Sequence, residues 1–164
     1  MKADQIAAVL AQPIAQELLT GPHLARFAYT GLDGAPRVVP IGFLWNGRDL
    51  DLWTVPGSAK VAALAADPRV AVTIDTSGMP PRVLLVRGTV TLTTIDGVPD
   101  GYVEAAPKAV PADQLAQWEA GVRALYDQMV QVRVTPSWVK LLDFETTIPQ
   151  AVQDLVDAKG AQQS

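Results

Sequence analysis

A hydroxyl and an ammonium two residues apart, where a strand-like run gives way to a helix-like one, are the groups of this sequence best placed for chemistry. They are Ser58 and Lys60 of Thr54-Val55-Pro56-Gly57-Ser58-Ala59-Lys60. Ser58 reads as an N-cap, whose hydroxyl accepts a hydrogen bond from an early helical N–H. Lys60 then falls in the first helical turn, where the helix dipole already places partial positive charge. A cation there makes sense if an anion sits among the free N–H groups, and phosphate is the usual one. The plain alternative is a solvated lysine after an ordinary cap, and these residues alone do not separate the two.

Two further groups could converge on such a site. In Arg37-Val38-Val39-Pro40-Ile41-Gly42-Phe43 a proline interrupts a strand pattern. It removes a ladder donor, so the strand should be an edge or be locally broken. Either outcome leaves backbone groups free to meet the rim of a planar heterocycle; the alternative is a proline that only blunts an exposed edge. Arg82 and Arg87 lie on a long strand, and Arg87, among apolar neighbours, should be paired or face a polar cleft.

Other chemistries lack their residues. His23 is the one histidine, at a strand start, and reads as a polar edge residue. Cysteine is absent, which excludes disulfides and thiolate chemistry and makes a structural zinc site unlikely to form. Gly57-Ser58-Ala59-Lys60 lacks the spacing of a P-loop, and Ser58 lacks a nucleophile elbow. Asp33, Asp49 and Asp96 read as turn residues. Catalysis would therefore fall to a cofactor.

The elements that must carry these groups follow from periodicity. Residues 4–19 carry a helical stripe of Ile6, Val9, Leu10, Ile14 and Leu18, interrupted at Pro13. Strands are expected over 24–29, 37–45 and 50–54, the last two joined by Asn46-Gly47, a hairpin signal. A short helix follows Ser58 and stops at Asp67-Pro68. Strands are expected at 70–75 and at 82–94, where Gly88 marks a bulge or bend. Residues 97–111 look irregular or partly helical. Leu115, Trp118, Val122, Leu125 and Met129 step by three and four, which predicts an inserted helix over 112–129. Strands at 130–134 and 139–144 and a helix over 149–158 complete the chain, read as one domain over 1–164 with its barrel over 22–144. Six or seven strands joined largely by hairpins imply a mainly β, α+β antiparallel barrel with peripheral helices.

Composition sets the class of partner. The 164 residues are 49% hydrophobic and 18% charged, with a net charge of −4. That is globular composition, and an acidic chain without a basic cluster excludes nucleic acid as the expected partner. No apolar run is long enough for a bilayer span, and the first residues lack a secretory pattern, so the expected location is cytoplasmic. An open edge at 37–45 and four tryptophans imply apolar surface to bury in a homodimer.

The order Arg37-Val38-Val39-Pro40, Asn46-Gly47, Leu52-Trp53-Thr54, Ser58-Ala59-Lys60, Leu64, Asp67-Pro68-Arg69-Val70-Ala71-Val72, Val86-Arg87-Gly88 and Arg133-Val134-Thr135-Pro136 resembles the pyridoxamine 5′-phosphate oxidase-like family over residues 22–144. No single piece is specific; their order and spacing are. The resemblance implies a six-stranded split β-barrel of the FMN-binding type, dimeric, with two cofactor sites at the interface. It implies that Arg37 reaches the flavin region or its phosphate. Val39, Pro40 and Ile41 would lie against the ring, Trp53 and Thr54 would supply an aromatic–hydroxyl pair, and Ser58 and Lys60 would hold the phosphate. Ala59 stands where true pyridoxamine phosphate oxidases commonly have an arginine, and Val83 where a glutamine is expected. The family's late tryptophan aligns near Leu142, leaving Trp138 as its substitute or as core. Residues 146–164 contain no arginine to grip pyridoxal phosphate, so vitamin B6 oxidation is not the expected activity. The expectation is an oxidoreductase using FMN or the deazaflavin F-420, passing hydride to or from a small molecule stacked on the ring. The alternative is a non-catalytic flavin-, haem- or tetrapyrrole-binding protein of the same fold.

Overall fold

A computed structural model describes residues 1–146 and 149–161. The alternating runs form one antiparallel sheet of seven strands. They are β1 (Ala25–Thr30), β2 (Pro36–Ile41), β3 (Leu44–Trp45), β4 (Leu50–Thr54), β5 (Arg69–Asp75), β6 (Arg82–Asp96) and β7 (Gln128–Asp143). Their order is β2-β1-β5-β6-β7-β4-β3. The two edge strands of that order, β2 and β3, are joined in the chain by Gly42 and Phe43 alone. The sheet must therefore curl until its edges meet, and the result is the split barrel. Phe43 is fully buried at the seam, which is why the single strand expected over 37–45 divides there. Pro40 does sit on an edge strand, in register with Arg26.

Inward positions of β1, β4, β5, β6 and β7 make the core: Phe27, Leu50, Leu52, Val72, Ile74, Leu84, Val86, Val132 and Val134 are nearly inaccessible. Leu18 and Leu19 plug the barrel from the N-terminal helices. Those helices are two, α1 (Ala3–Leu10) and α2 (Pro13–Thr20), because Pro13 opens a new helix where its missing N–H costs nothing.

The strands expected at 130–134 and 139–144 are one strand, β7, bent at a bulge. Arg87 pairs with Trp138 and Gly88 with Pro136, which leaves Ser137 as the extra residue. Pro136 has no N–H to give the ladder, and Ser137 Oγ donates to the Arg87 carbonyl at 3.2 Å. The expected bulge at Gly88 is therefore present.

A second, smaller core covers the outer face of β4. Trp53 packs there with Val98, Ala105, Val122 and Met129. Two helices supply this cover, α4 (Asp100–Ala105) and α5 (Leu115–Leu125). The helix expected over 112–129 is thus shorter. Residues 112–114 form a 3-10 turn, and Met129 joins the cluster from β7, in register with Ile95. Met129 continues the helical spacing by coincidence of sequence, and the ladder with β6 overrides it. Between β4 and β5 lies α3 (Ala59–Ala66), and α6 (Gln150–Ala161) follows the barrel. Among the described residues no helix is long and apolar enough to cross a membrane.

Candidate functional site

The turn after β4 delivers the start of α3. The Val55 carbonyl accepts the Ser58 N–H at 3.0 Å. Ser58 is the N-cap, and its Oγ accepts the Lys60 N–H at 3.4 Å. A Cβ added at Gly57 meets nothing within 4 Å, so the space above the turn is open. The Lys60 side chain is half-buried and has no acidic partner among the described residues, and its burial lowers its pKa. The contrast with Lys108 is instructive. Lys108 is also half-buried with a lowered pKa, but its ammonium donates to the Leu19 and Gly21 carbonyls at the end of α2 and lies 4.2 Å from the centre of the Phe43 ring. Burial of one lysine is offset locally, and that of the other is not.

Arg37 comes to the same corner. It faces Tyr29 across the β1–β2 ladder and shares with Ala59 and Ala63 of α3 a recess of about 200 Å³. Its guanidinium meets Asp33 at 2.8 Å, but both side chains are about half exposed. Such a pair is worth little in water and yields readily to a stronger anion. Asp33 is held low first by the Ala35 N–H and then by Arg37.

From Arg37 the edge strand β2 runs to a second recess of about 270 Å³, lined by Pro40, Ile41, Gly42, Trp53, Tyr102 and Trp118 together with small apolar residues. Ile41 is four residue steps along β2 from Arg37, about 13 Å at ~3.3 Å per residue. Trp53 meets Tyr102 edge-on at 6.4 Å, and Tyr102 lies 5.2 Å from Trp118. The Tyr102 hydroxyl is pushed up by burial and by Tyr126. Trp53 Nε1 is buried and has no acceptor among the described residues. Val39 and Ile41 are half-buried against the barrel core, and Thr54 is half-buried at the end of β4.

The remaining candidates lie apart. Arg82 pairs with Glu17 of α2 at 2.9 Å, six residues along β6 from Gly88. Arg87 is exposed on the outer face of the sheet, with its guanidinium carbon 4.4 Å from the centre of the Trp138 ring. This is the partner that the sequence required for Arg87, found in a stacked ring and not in a polar cleft. Within one chain the fold thus brings Arg37 to Ala59, the residue between Ser58 and Lys60, at one end of β2, and Pro40 and Ile41 to Trp53 at the other. Tyr102 and Trp118 were missed as site residues. Trp118 read only as part of an amphipathic helix, and Tyr102 fell in a stretch without periodicity. The one available signal was Gly101. A Cβ there would lie 2.7 Å from Trp53 Cζ2, so the chain needs glycine where α4 crosses the indole.

A donor set of one free ammonium, a guanidinium in a weak pair, a capped helix start and an open glycine fits a phosphate dianion. An aromatic recess along the same strand fits a flat ring. No curated protein matches the sequence. Among solved structures the chain is similar to an F-420 reductase, with 25% identity, 76% of this chain and 94% of that one covered and a TM-score of 0.59. It is also similar to a FAD-binding protein from Mesorhizobium loti, with 24% identity, 76% and 86% covered and a TM-score of 0.50. A third likeness is to HutZ, a haem storage protein from Vibrio cholerae, with 12% identity, 79% and 92% covered and a TM-score of 0.56. The last two bear on the fold alone. The family model described as pyridoxamine 5′-phosphate oxidase matches residues 11–140; with most of its length matched and with this split barrel, the chain belongs to the pyridoxamine 5′-phosphate oxidase-like family.

Proposed function

We propose that this protein is a flavin- or deazaflavin-dependent oxidoreductase whose cofactor phosphate rests at the start of α3. The observation that carries the reading is Lys60: a half-buried ammonium with no acid among the described residues to match it, at the positive end of a helix. Lys60, Ser58 and the first N–H groups of α3 hold the dianion, and Arg37 leaves Asp33 for it. Val39, Pro40 and Ile41 back the ring along β2. Trp53, Tyr102 and Trp118 exclude water from its far end, and the unsatisfied Trp53 N–H offers a donor to an acceptor on the ring's rim. FMN or F-420, when bound, supplies the hydride chemistry at its central ring. The likeness to an F-420 reductase supports this class. The substrate is a small organic molecule that stacks on the exposed ring face. Vitamin B6 oxidation is not proposed.

A homodimer completes the site in this reading. The outward positions Val38, Ala28, Ala71, Arg87 and Trp138 lie side by side across five strands. Val38 is 63% exposed at the edge of that row. A mainly apolar sheet face of this breadth is a surface to bury against a second copy.

The second reading, non-catalytic carriage of the cofactor, is favoured by the lack of acid–base groups in the aromatic recess, where Tyr102 is the one titratable side chain. Titration of the purified protein with FMN and with F-420, followed by reduction of the bound cofactor and transfer to trial acceptors, separates the readings. Tight binding with hydride transfer is expected; binding without transfer to any acceptor favours carriage; no binding of either cofactor refutes both.

A further inference from the structure

A roomier recess than either of these lies away from this site. It lies at the opposite end of β4, between α1, the Asn46–Asp49 turn and the bend of β7, and encloses about 570 Å³. That is within the ~300–1,000 Å³ typical of small-molecule pockets. Ile6 and Leu10 of α1, Trp45 and Pro136 give it apolar walls. Asp49 also lines it; the residue is 9% exposed, and its Oδ1 is fully shielded with no donor among the described residues, which leaves Oδ2 as the open edge of the carboxylate. Arg133 is close enough to feel the Asp49 charge, but its Nε and Nη2 are both taken by Asp51, at 2.7 and 2.9 Å.

The turn does not explain this carboxylate. Asn46 Oδ1 accepts the N–H groups of Arg48 and Asp49 at 3.0 and 2.8 Å, so the amide of Asn46 shapes the loop. Asp49 does lie in the turn, as expected, through its backbone N–H and carbonyl, but its carboxylate takes no part in it. A largely buried carboxylate that feels the Arg133 charge but accepts no hydrogen bond among the described residues still costs free energy, which a cationic donor would offset. Arg48 stands exposed at the rim, where its charge opposes a second positive group on any ligand.

From this we infer that the recess is a binding site for a small monoamine, its protonated nitrogen on Asp49 and its apolar or aromatic body against Trp45, Ile6 and Leu10. The site is separate from the α3 start, so its test is independent of FMN binding.

Three probes of matched body settle the matter by calorimetry on the full chain: 2-phenylethylamine, 2-phenylethanol and 3-phenylpropanoate. The amine is expected to bind at least about tenfold tighter than the other two, the scale of one charge-assisted hydrogen bond. Asp49→Asn should remove that preference while sparing the alcohol, and Ala7→Trp, on the α1 wall, should block all three. Equal affinities on the wild-type protein, no heat from the amine, or a preference that survives in Asp49→Asn overturns the inference. So does tightest binding by the acid, which would make Arg48 the recognition group.

Discussion

Replacing Lys60 by alanine separates the anchoring role from a structural one. In the protein without ligand, the Lys60 ammonium makes no ion pair among the described residues, and the N-cap bond uses its backbone N–H, which alanine keeps. Alanine also has the best helix propensity. Folding stability should therefore be unchanged or slightly higher. With FMN the lost contact is a hydrogen bond to a dianion, worth about 1.5–3 kcal/mol. At about 1.4 kcal/mol per tenfold, the Kd should rise roughly 10- to 150-fold. Riboflavin has the same ring without the phosphate, so its affinity should barely differ between the two proteins. The assay is fluorescence titration of both flavins against both proteins, with thermal unfolding of the ligand-free forms alongside. A Kd for FMN within about twofold of wild type would refute the reasoning, since that is below half of a typical hydrogen bond. An equal loss for riboflavin would do the same. A fall in Tm without ligand would show that Lys60 holds the fold instead.

The pH dependence follows from the same residue. Burial depresses the Lys60 pKa below its ordinary 10.5, so the unfolded chain binds the proton more tightly and ligand-free stability should rise with pH through the window just below 10.5. Lys60→Ala should lose that rise in denaturant titrations. FMN affinity should run the opposite way, weakening over the same window in wild type but not in the variant. Gly88→Ala places a methyl against the Thr135 carbonyl in the bulge, an overpacking of about 1–3 kcal/mol; Tm should fall by about 2–4 °C for each kcal/mol. Val38→Asp puts a charge on the exposed row proposed for dimerisation, so sedimentation should find a monomer with the stability of its own barrel intact. Gly101→Ala should displace the Trp53 indole and weaken FMN and riboflavin alike, in contrast to Lys60→Ala.

The fold was legible where alternation and turn chemistry agreed. Val70, Val72 and Ile74, Asn46-Gly47 and Gly88 each specify their local structure, and β5, the β3–β4 hairpin and the bulge follow. It was illegible where the ladder overrides local signals. Pro136 looks like the end of a strand, yet a bulge one residue long lets β7 continue through it. The local geometry of the charged half of the candidate site was also legible: Ser58 caps α3 and Lys60 falls in its first turn, a conflict with the dipole that can be read without coordinates. The aromatic half was not. Trp53, Tyr102 and Trp118 meet only because α4 and α5 fold back over β4, and no short-range pattern encodes a contact between residues so far apart in the chain. For Arg87 the need of a partner was legible and the partner's identity was not: the ring of Trp138 supplies it.

Three buried side-chain atoms lack hydrogen-bond partners among the described residues: Asp49 Oδ1, Trp53 Nε1 and Asp75 Oδ1. Asp75 Oδ1 lies 3.1 Å from Arg26 Nε, an ion pair, which leaves two. To these belongs Lys60, half-buried and without an acidic partner among the described residues. The three remaining groups have different needs. Trp53 Nε1 is a donor in want of an acceptor and Lys60 is a cation in want of an anion, and they flank the same turn at the end of β4. Asp49 is an acceptor in want of a donor, at the other end of that strand. One ligand that carries both a phosphate and ring acceptors answers the first two and repels the third. On the two proposals made above, the barrel would take two ligands of opposite polarity, and saturating it with a flavin nucleotide should leave amine binding at Asp49 unchanged.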